Sequence, residues 1–133
     1  MANLKKKCWT EFSIYIRTRD CLETTGCASF GLCITCGKRY HFKLLQAGHF
    51  VSGRHLGNLF SEKGTHAQCY NCNINLKGNT LVYRRKIIEL YGNGWDERLE
   101  LEASQIKKIK PFEYEEMIKD YKKRTKELTG VAI

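Results

Sequence analysis

The sequence predicts a small α+β fold: a treble-clef zinc finger carrying an N-terminal helix and C-terminal helices. Three observations predict it. Cysteines recur as two Cys-x-x-Cys pairs, Cys33/Cys36 and Cys69/Cys72, on either side of a histidine-bearing segment. The pairs have unlike surroundings: Gly37 closely follows the first, whereas Asn-Ile-Asn-Leu-Lys follows Cys72. Apolar residues at helical spacing flank this segment on both sides. A zinc ribbon would use two similar knuckles. A knuckle, then a hairpin, then a helix bearing ligands is the treble-clef order, with a ββα unit at its core. At 133 residues the chain is one domain, or one domain with an appendage. Residues 1–92 form the zinc-stapled core with its N-terminal helix. Residues 93–133 form a helical extension, packed on that core or pairing two subunits.

In chain order, residues 4–20 read as a helix, with Trp9, Phe12 and Ile16 as an apolar stripe. Arg17 and Arg19 lie near its end. Residues 21–32 read as a loop. Cys33-Ile-Thr-Cys36-Gly37 reads as a zinc knuckle: two intervening residues let both sulfurs reach one metal, and glycine tolerates the positive φ of the turn. Residues 39–51 alternate weakly and predict a hairpin, or two short strands, turning near Gly48. Residues 52–66 are a polar, glycine-punctuated loop, of a length that is usually functional or mobile. The second cysteine pair opens a short helix that Gly78 ends. Asn79 then caps a helix running to about Tyr91, with Leu81, Ile88 and Tyr91 inward. A helix over about 95–107 follows, then, after Pro111, one over about 112–128 with Phe112, Met117, Tyr121 and Leu128 as its stripe.

Composition narrows the function. No apolar run approaches the ~18 residues of a membrane span. The lysines at 5–7 have no apolar stretch behind them, so they are not read as a signal peptide, and a reducing cytoplasm is expected. Seven cysteines in that setting argue against a disulfide framework. Cys33, Cys36, Cys69 and Cys72 are the zinc ligands. Cys8, Cys21 and Cys27 read as small buried hydrophobes, with Cys27 a weak substitute ligand. The net charge is +9, and all of the excess falls in residues 1–92, since residues 93–133 hold nine residues of each sign. A basic field over the cysteine- and histidine-bearing part suits a polyanion. Arg17, Arg19, Arg54, Lys77, Arg84 and Arg85 are candidate phosphate contacts.

A ββα unit with His49 on the hairpin and Asn73 directly after the last cysteine resembles the HNH, or ββα-metal, nucleases. The resemblance implies that His49 is the general base and that Asn73 ligates a catalytic Mg²⁺ or Mn²⁺. Imidazole titrates near pH 6.5, so it accepts a proton from water at neutral pH. Gly48 stands where such proteins often carry Asp, and glycine offers no ligand. His66, just before the second cysteine pair, is the candidate replacement, ahead of His55, His41 and Gln46.

A closer resemblance rests on several motifs in order. They are Phe12-Ser-Ile-Tyr-Ile-Arg-Thr-Arg-Asp20, Cys-Ile-Thr-Cys-Gly, Gln46-Ala-Gly-His-Phe50, His66-Ala-Gln-Cys-Tyr-Asn-Cys-Asn73, Leu76-Lys-Gly-Asn79 and Tyr83-Arg84. Together these are similar to the lambda-type NinG (Rap) family of phage recombination proteins, over roughly residues 8–130. That family also has Gly before the hairpin histidine. It often has Asn near position 64, where this chain has Gly64. The resemblance implies an endonuclease acting on branched DNA, such as Holliday junctions and D-loops, working as a dimer because a junction needs two cuts. The competing class is a non-catalytic zinc module that binds DNA or a protein. An RNA-directed reading lacks an aromatic-rich strand motif.

Overall fold

The computed structural model describes residues 2–53 and 55–130. Arg54, one of the expected phosphate contacts, lies outside them. Helix α1 spans Ala2–Thr25, five residues beyond the expected end. It continues because Cys21 still has a core to enter, against Leu45 and Ala67. Thr24 and Thr25 donate back to the carbonyls of Asp20 and Cys21, which satisfies their hydroxyls within the helix. Gly26, at φ 76°, ends the helix.

Strands β1 (Phe30–Leu32) and β2 (Arg39–His41) form one antiparallel ladder, and the knuckle is their turn. After a single 3₁₀ turn at Phe42–Leu44, β3 (Leu45–His49) pairs antiparallel with β4 (Thr65–Cys69), in register from Leu45↔Cys69 to His49↔Thr65. The hairpin expected over 39–51 therefore does not form. Residues 39–41 pair backwards with β1, and residues 45–49 pair forwards across the 50–64 loop. Gly48 lies in a strand, not at a turn. It is glycine for a steric reason: a Cβ there would stand 1.9 Å from Gln68 Oε1.

The 50–64 loop contains a one-turn helix, α2 (Leu56–Leu59). Asn58 Nδ2 donates to the Val51 carbonyl at 2.9 Å, and the Gly64 amide donates to Ser61 Oγ at 3.1 Å. Those bonds fix the loop without an asparagine at 64.

Cys69 ends β4, and Cys72 lies in a π-helical turn, Asn71–Asn75, where an α-helix was expected. Lys77, Gly78 and Asn79 follow in left-handed conformation, at φ 52°, 90° and 49°. Asn79 makes no side-chain cap. Its Nδ2 instead reaches Cys72 Sγ at 3.7 Å.

Helices α3 (Thr80–Tyr91), α4 (Trp95–Ser104) and α5 (Pro111–Thr129) complete the chain. Tyr83 and Ile87 form the buried face of α3, while Leu81 is exposed. On α5 the buried pair is Tyr114 and Tyr121, and Phe112 is exposed. These two tyrosines meet Cys8, Phe12, Tyr15 and Ile16 of α1 in the largest core. A second core, under α3 and α4, gathers Phe50, Tyr83, Ile87 and Leu99. Arg124 of α5 grips both Glu62 carboxylate oxygens, at 2.8 and 2.6 Å, and Tyr15 Oη at 2.9 Å, holding the long loop down. No described helix is long and apolar enough to cross a membrane.

Candidate functional site

The four paired cysteines come together. Their sulfurs all lie within 4.8 Å of one another, close enough for one metal such as zinc. Cys33 and Cys36 come from the β1–β2 turn, closed by Cys33 N–H to Lys38 O and Gly37 N–H to Cys33 O, both 2.9 Å. Cys69 and Cys72 come from the end of β4 and the π-turn. The Cys72 amide donates to Cys69 Sγ at 3.4 Å, as thiolate ligands commonly accept. An all-thiolate set at this spacing suits zinc by its softness and tetrahedral count. Cys27 is outside the cluster and exposed. Burial pushes the thiols of Cys8 and Cys21 up to about 11, which makes them inert packing residues.

Among the described residues, strand β3 has a partner on one side only. A cleft of about 480 Å³ runs along its other edge, lined by Trp9, Arg17, Gln46, His49, Asn73 and Ile74 among others. Strand alternation sends Ala47 and His49 towards α1, and Gln46 and Gly48 towards the π-turn. The cleft collects His49 from one face and Asn73 from the other. Asn73 Nδ2 donates to Gln46 Oε1 at 2.7 Å, which fixes both amides at its wall.

The imidazole of His49 is held from two directions. The Trp9 indole stacks on it, centroids 5.3 Å apart at 22°. Nε2 lies 2.9 Å from the Leu59 carbonyl. A carbonyl only accepts, so Nε2 carries the proton in this bond and Nδ1 is the basic nitrogen. The buried, tied-down loop thus sets the tautomer. Arg17 brings a cation to the same cleft. Its guanidinium lies 4.4 Å from the Phe42 ring centroid, and Nε bonds Ser13. Burial lowers its pKa from the usual arginine value, yet arginine stays charged at neutral pH.

His66 is not part of this cleft. It is buried, with Nδ1 3.0 Å from Asp20 Oδ2 and Nε2 2.9 Å from Tyr91 Oη. The sequence suggested a place at a catalytic metal because it precedes the cysteines. Register shows otherwise, since His66 pairs with Gly48 on β4, behind β3 from the cleft edge. It belongs to a buried network joining α1, β4 and α3. Burial alone would raise the Asp20 carboxyl, but the His66 bond and the Arg19 guanidinium outweigh it and hold the group below the usual range.

Arg19 is likewise occupied within the fold. Its guanidinium donates to Asp20 Oδ1 and to the carbonyls of Glu62 and Thr65, at 2.9, 2.8 and 2.8 Å. Arg84 is bridged to Asp96 and Glu100. Lys77 and Arg85 are exposed. The expected set of phosphate contacts therefore divides into an internal brace, Arg19, a surface arginine bridged to two carboxylates, Arg84, and solvent-facing cations, Lys77 and Arg85, with Arg17 in the cleft.

Sequence reasoning missed Asn58 and Gln68, and gave Gln46 only a minor place. Gln68 is fully buried; its Nε2 donates to Thr35 Oγ1 at 3.1 Å and to Gly78 O at 3.0 Å, linking the two halves of the metal centre. A buried glutamine in a strand that ends on a metal-ligating cysteine was the available signal.

The sequence model of the family described as Bacteriophage Lambda NinG protein matches residues 2–130. Neither the curated proteins nor the solved structures contain a match.

Proposed function

The chain belongs to the NinG family of phage recombination proteins, and on that footing we propose that it is a metal-dependent DNA endonuclease acting on branched DNA. The observation that carries this reading is the cleft on the edge of β3. It joins one tautomer-fixed imidazole, two side-chain amides and a half-buried guanidinium on a basic surface. The knuckle, the paired strands and the ligand-bearing turn support a treble-clef, HNH-like reading of the core.

In this mechanism Nδ1 of His49 takes the proton of the attacking water. Nε2–H stays on the Leu59 carbonyl, which stabilises the imidazolium as it forms. Arg17 neutralises and orients the phosphodiester. Gln46 Oε1 and Asn73 Oδ1, on side chains that line the cleft, are hard, neutral donors that would suit Mg²⁺ or Mn²⁺. Gln68 Oε1, buried against Gly48 without a hydrogen-bond partner among the described residues, lies outside the cleft. None of the described residues lining the cleft is a carboxylate, so a cation held there would draw its anionic ligands from the DNA phosphate. Such a cation would supply Lewis-acid polarisation of the phosphate and charge stabilisation at the leaving oxygen. Junction resolution needs two cuts, which two copies of the chain supply.

The test is incubation of a synthetic four-way junction and a matched linear duplex with Mg²⁺ or Mn²⁺, using wild type and His49→Ala. Cleavage lost in the variant, with junction binding retained, supports the enzyme. Binding without cleavage by both proteins supports a zinc module that only binds DNA.

A further inference from the structure

The register that places Leu45 opposite Cys69 also brings Leu44 and Tyr70 to the same end of the β3–β4 ladder. Tyr70 opens the π-turn, and Ile74 follows one turn later. Leu44 is 64% exposed, Tyr70 56%, Ile74 49% and Leu76 51%. Each could have been polar at no cost to the cores, since none belongs to a buried cluster. Apolar residues grouped in this way on a small domain mark a contact surface.

Two further observations say what the surface contacts. Ile74 is shared between this ridge and the cleft holding His49 and Asn73. The surroundings are basic: residues 24–88 contain one acidic residue, Glu62, against nine lysines and arginines. Lys43 and Lys77, both exposed, flank the ridge in sequence. An apolar ridge on a cationic surface suits a ligand with an anionic backbone and flat apolar faces. Nucleic-acid bases offer such faces only where they are unstacked, because in a continuous duplex they are covered. The ridge is also rigid, since Cys69 and Cys72 bracket Tyr70 and tie it to the metal centre.

We infer that Leu44, Tyr70 and Ile74 form a stacking wedge for unstacked bases at a DNA branch point, presenting the adjoining phosphate to the cleft. This rests on the nuclease reading and adds the source of its branch preference. Base–aromatic stacking corresponds to roughly five- to 150-fold in affinity per base.

The test uses the full chain with zinc, in binding mode, on a four-way junction carrying 2-aminopurine at the branch and on the matched linear duplex. Wild type is expected to change the fluorescence at the branch. Tyr70→Ala is expected to lose that change and about tenfold in junction affinity, with duplex affinity within twofold. Tyr70→Phe, which keeps the ring, restores both; the retained duplex affinity of Tyr70→Ala excludes a folding defect, and Ile74→Ser gives an independent, smaller loss in the same direction. Equal loss on junction and duplex, no loss in either variant, or no binding by wild type overturns the wedge. So does a changed sedimentation of DNA-free Tyr70→Ala, which would make the ridge a contact between copies. The two readings fail separately: cleavage that needs His49 but keeps its junction preference in Tyr70→Ala sinks the wedge alone. Absent cleavage with Tyr70-dependent junction binding sinks the nuclease alone.

Discussion

Replacing Gly48 by alanine probes how the site is built. The added methyl would stand 1.9 Å from Gln68 Oε1 and 2.8 Å from its Cδ, so the glutamine must move. That movement breaks the bonds from Nε2 to Thr35 Oγ1 and Gly78 O. Two such bonds contribute about 1 kcal/mol each. Overpacking a buried site costs about 1–3 kcal/mol. The lower chain entropy of alanine returns about 0.5–1 kcal/mol. The net loss is roughly 3 kcal/mol. At this chain length that corresponds to a fall in Tm of roughly 10 °C, at about 3–4 °C per kcal/mol. The assay is thermal unfolding at saturating zinc. Because the penalty comes from one side chain, the same substitution in a Gln68→Ala background is expected to cost about 0.5 kcal/mol or less. A Gly48→Ala protein melting within about 2 °C of wild type refutes the reasoning. An unchanged penalty in the Gln68→Ala background refutes it too.

Further predictions concern metal, charge and pH. Chelating zinc is expected to unfold the part of the chain around β1–β4, because structural zinc contributes ~10–16 kcal/mol against a typical net stability of ~5–15 kcal/mol. Unchanged circular dichroism and Tm after chelation contradict this. Asp20→Asn is expected to lose roughly 3 kcal/mol, since Arg19 and His66 lose a buried partner. The Asp20 carboxyl is depressed in the folded state, so its contribution is complete above the ordinary carboxylate range and is lost as pH falls through its folded value. The gap between wild type and Asp20→Asn, measured by denaturant titration, should therefore narrow in acid; a constant gap counts against it. Arg17→Ala is expected to weaken DNA binding and to lower the slope of log affinity against log salt by about 0.9. An unchanged slope removes Arg17 from the phosphate.

Much of the metal centre was legible in the sequence, because ligand spacing is a local property that chain topology does not alter. The pairs at 33/36 and 69/72 needed only the rule that two intervening residues let two sulfurs face one ion. The strands were harder. Residues 39–41 and 45–49 both look extended, but which partner each takes depends on contacts distant in sequence, so the expected hairpin joined the wrong segments. The same limit misplaced His66. Its neighbourhood suggested metal chemistry, whereas its fate was set by Asp20, forty-six positions earlier, and Tyr91, twenty-five later. Arg19 shows why charge counting identifies a surface only in part: a guanidinium pointing inward to carbonyls looks the same in sequence as one facing solvent. The inward residues of α3 and α5 were read only in part for a related reason. Met117 and Tyr121 face the core as expected, but Leu81 and Phe112, though apolar, are exposed, and Tyr83 and Tyr114 take the buried positions instead.

The central claim is that His49 and Asn73 act on one phosphodiester across the edge of β3. The most direct measurement is the single-turnover cleavage rate of a four-way junction by His49→Ala, Asn73→Ala and the double variant, at fixed Mg²⁺. His49→Ala is expected to be slower by about 10²–10⁴-fold, Asn73→Ala is expected to be slower as well, and the double variant no slower than the worse single one, because groups acting in one step do not add. A single variant that cleaves at the wild-type rate, or losses that multiply in the double variant, would contradict it.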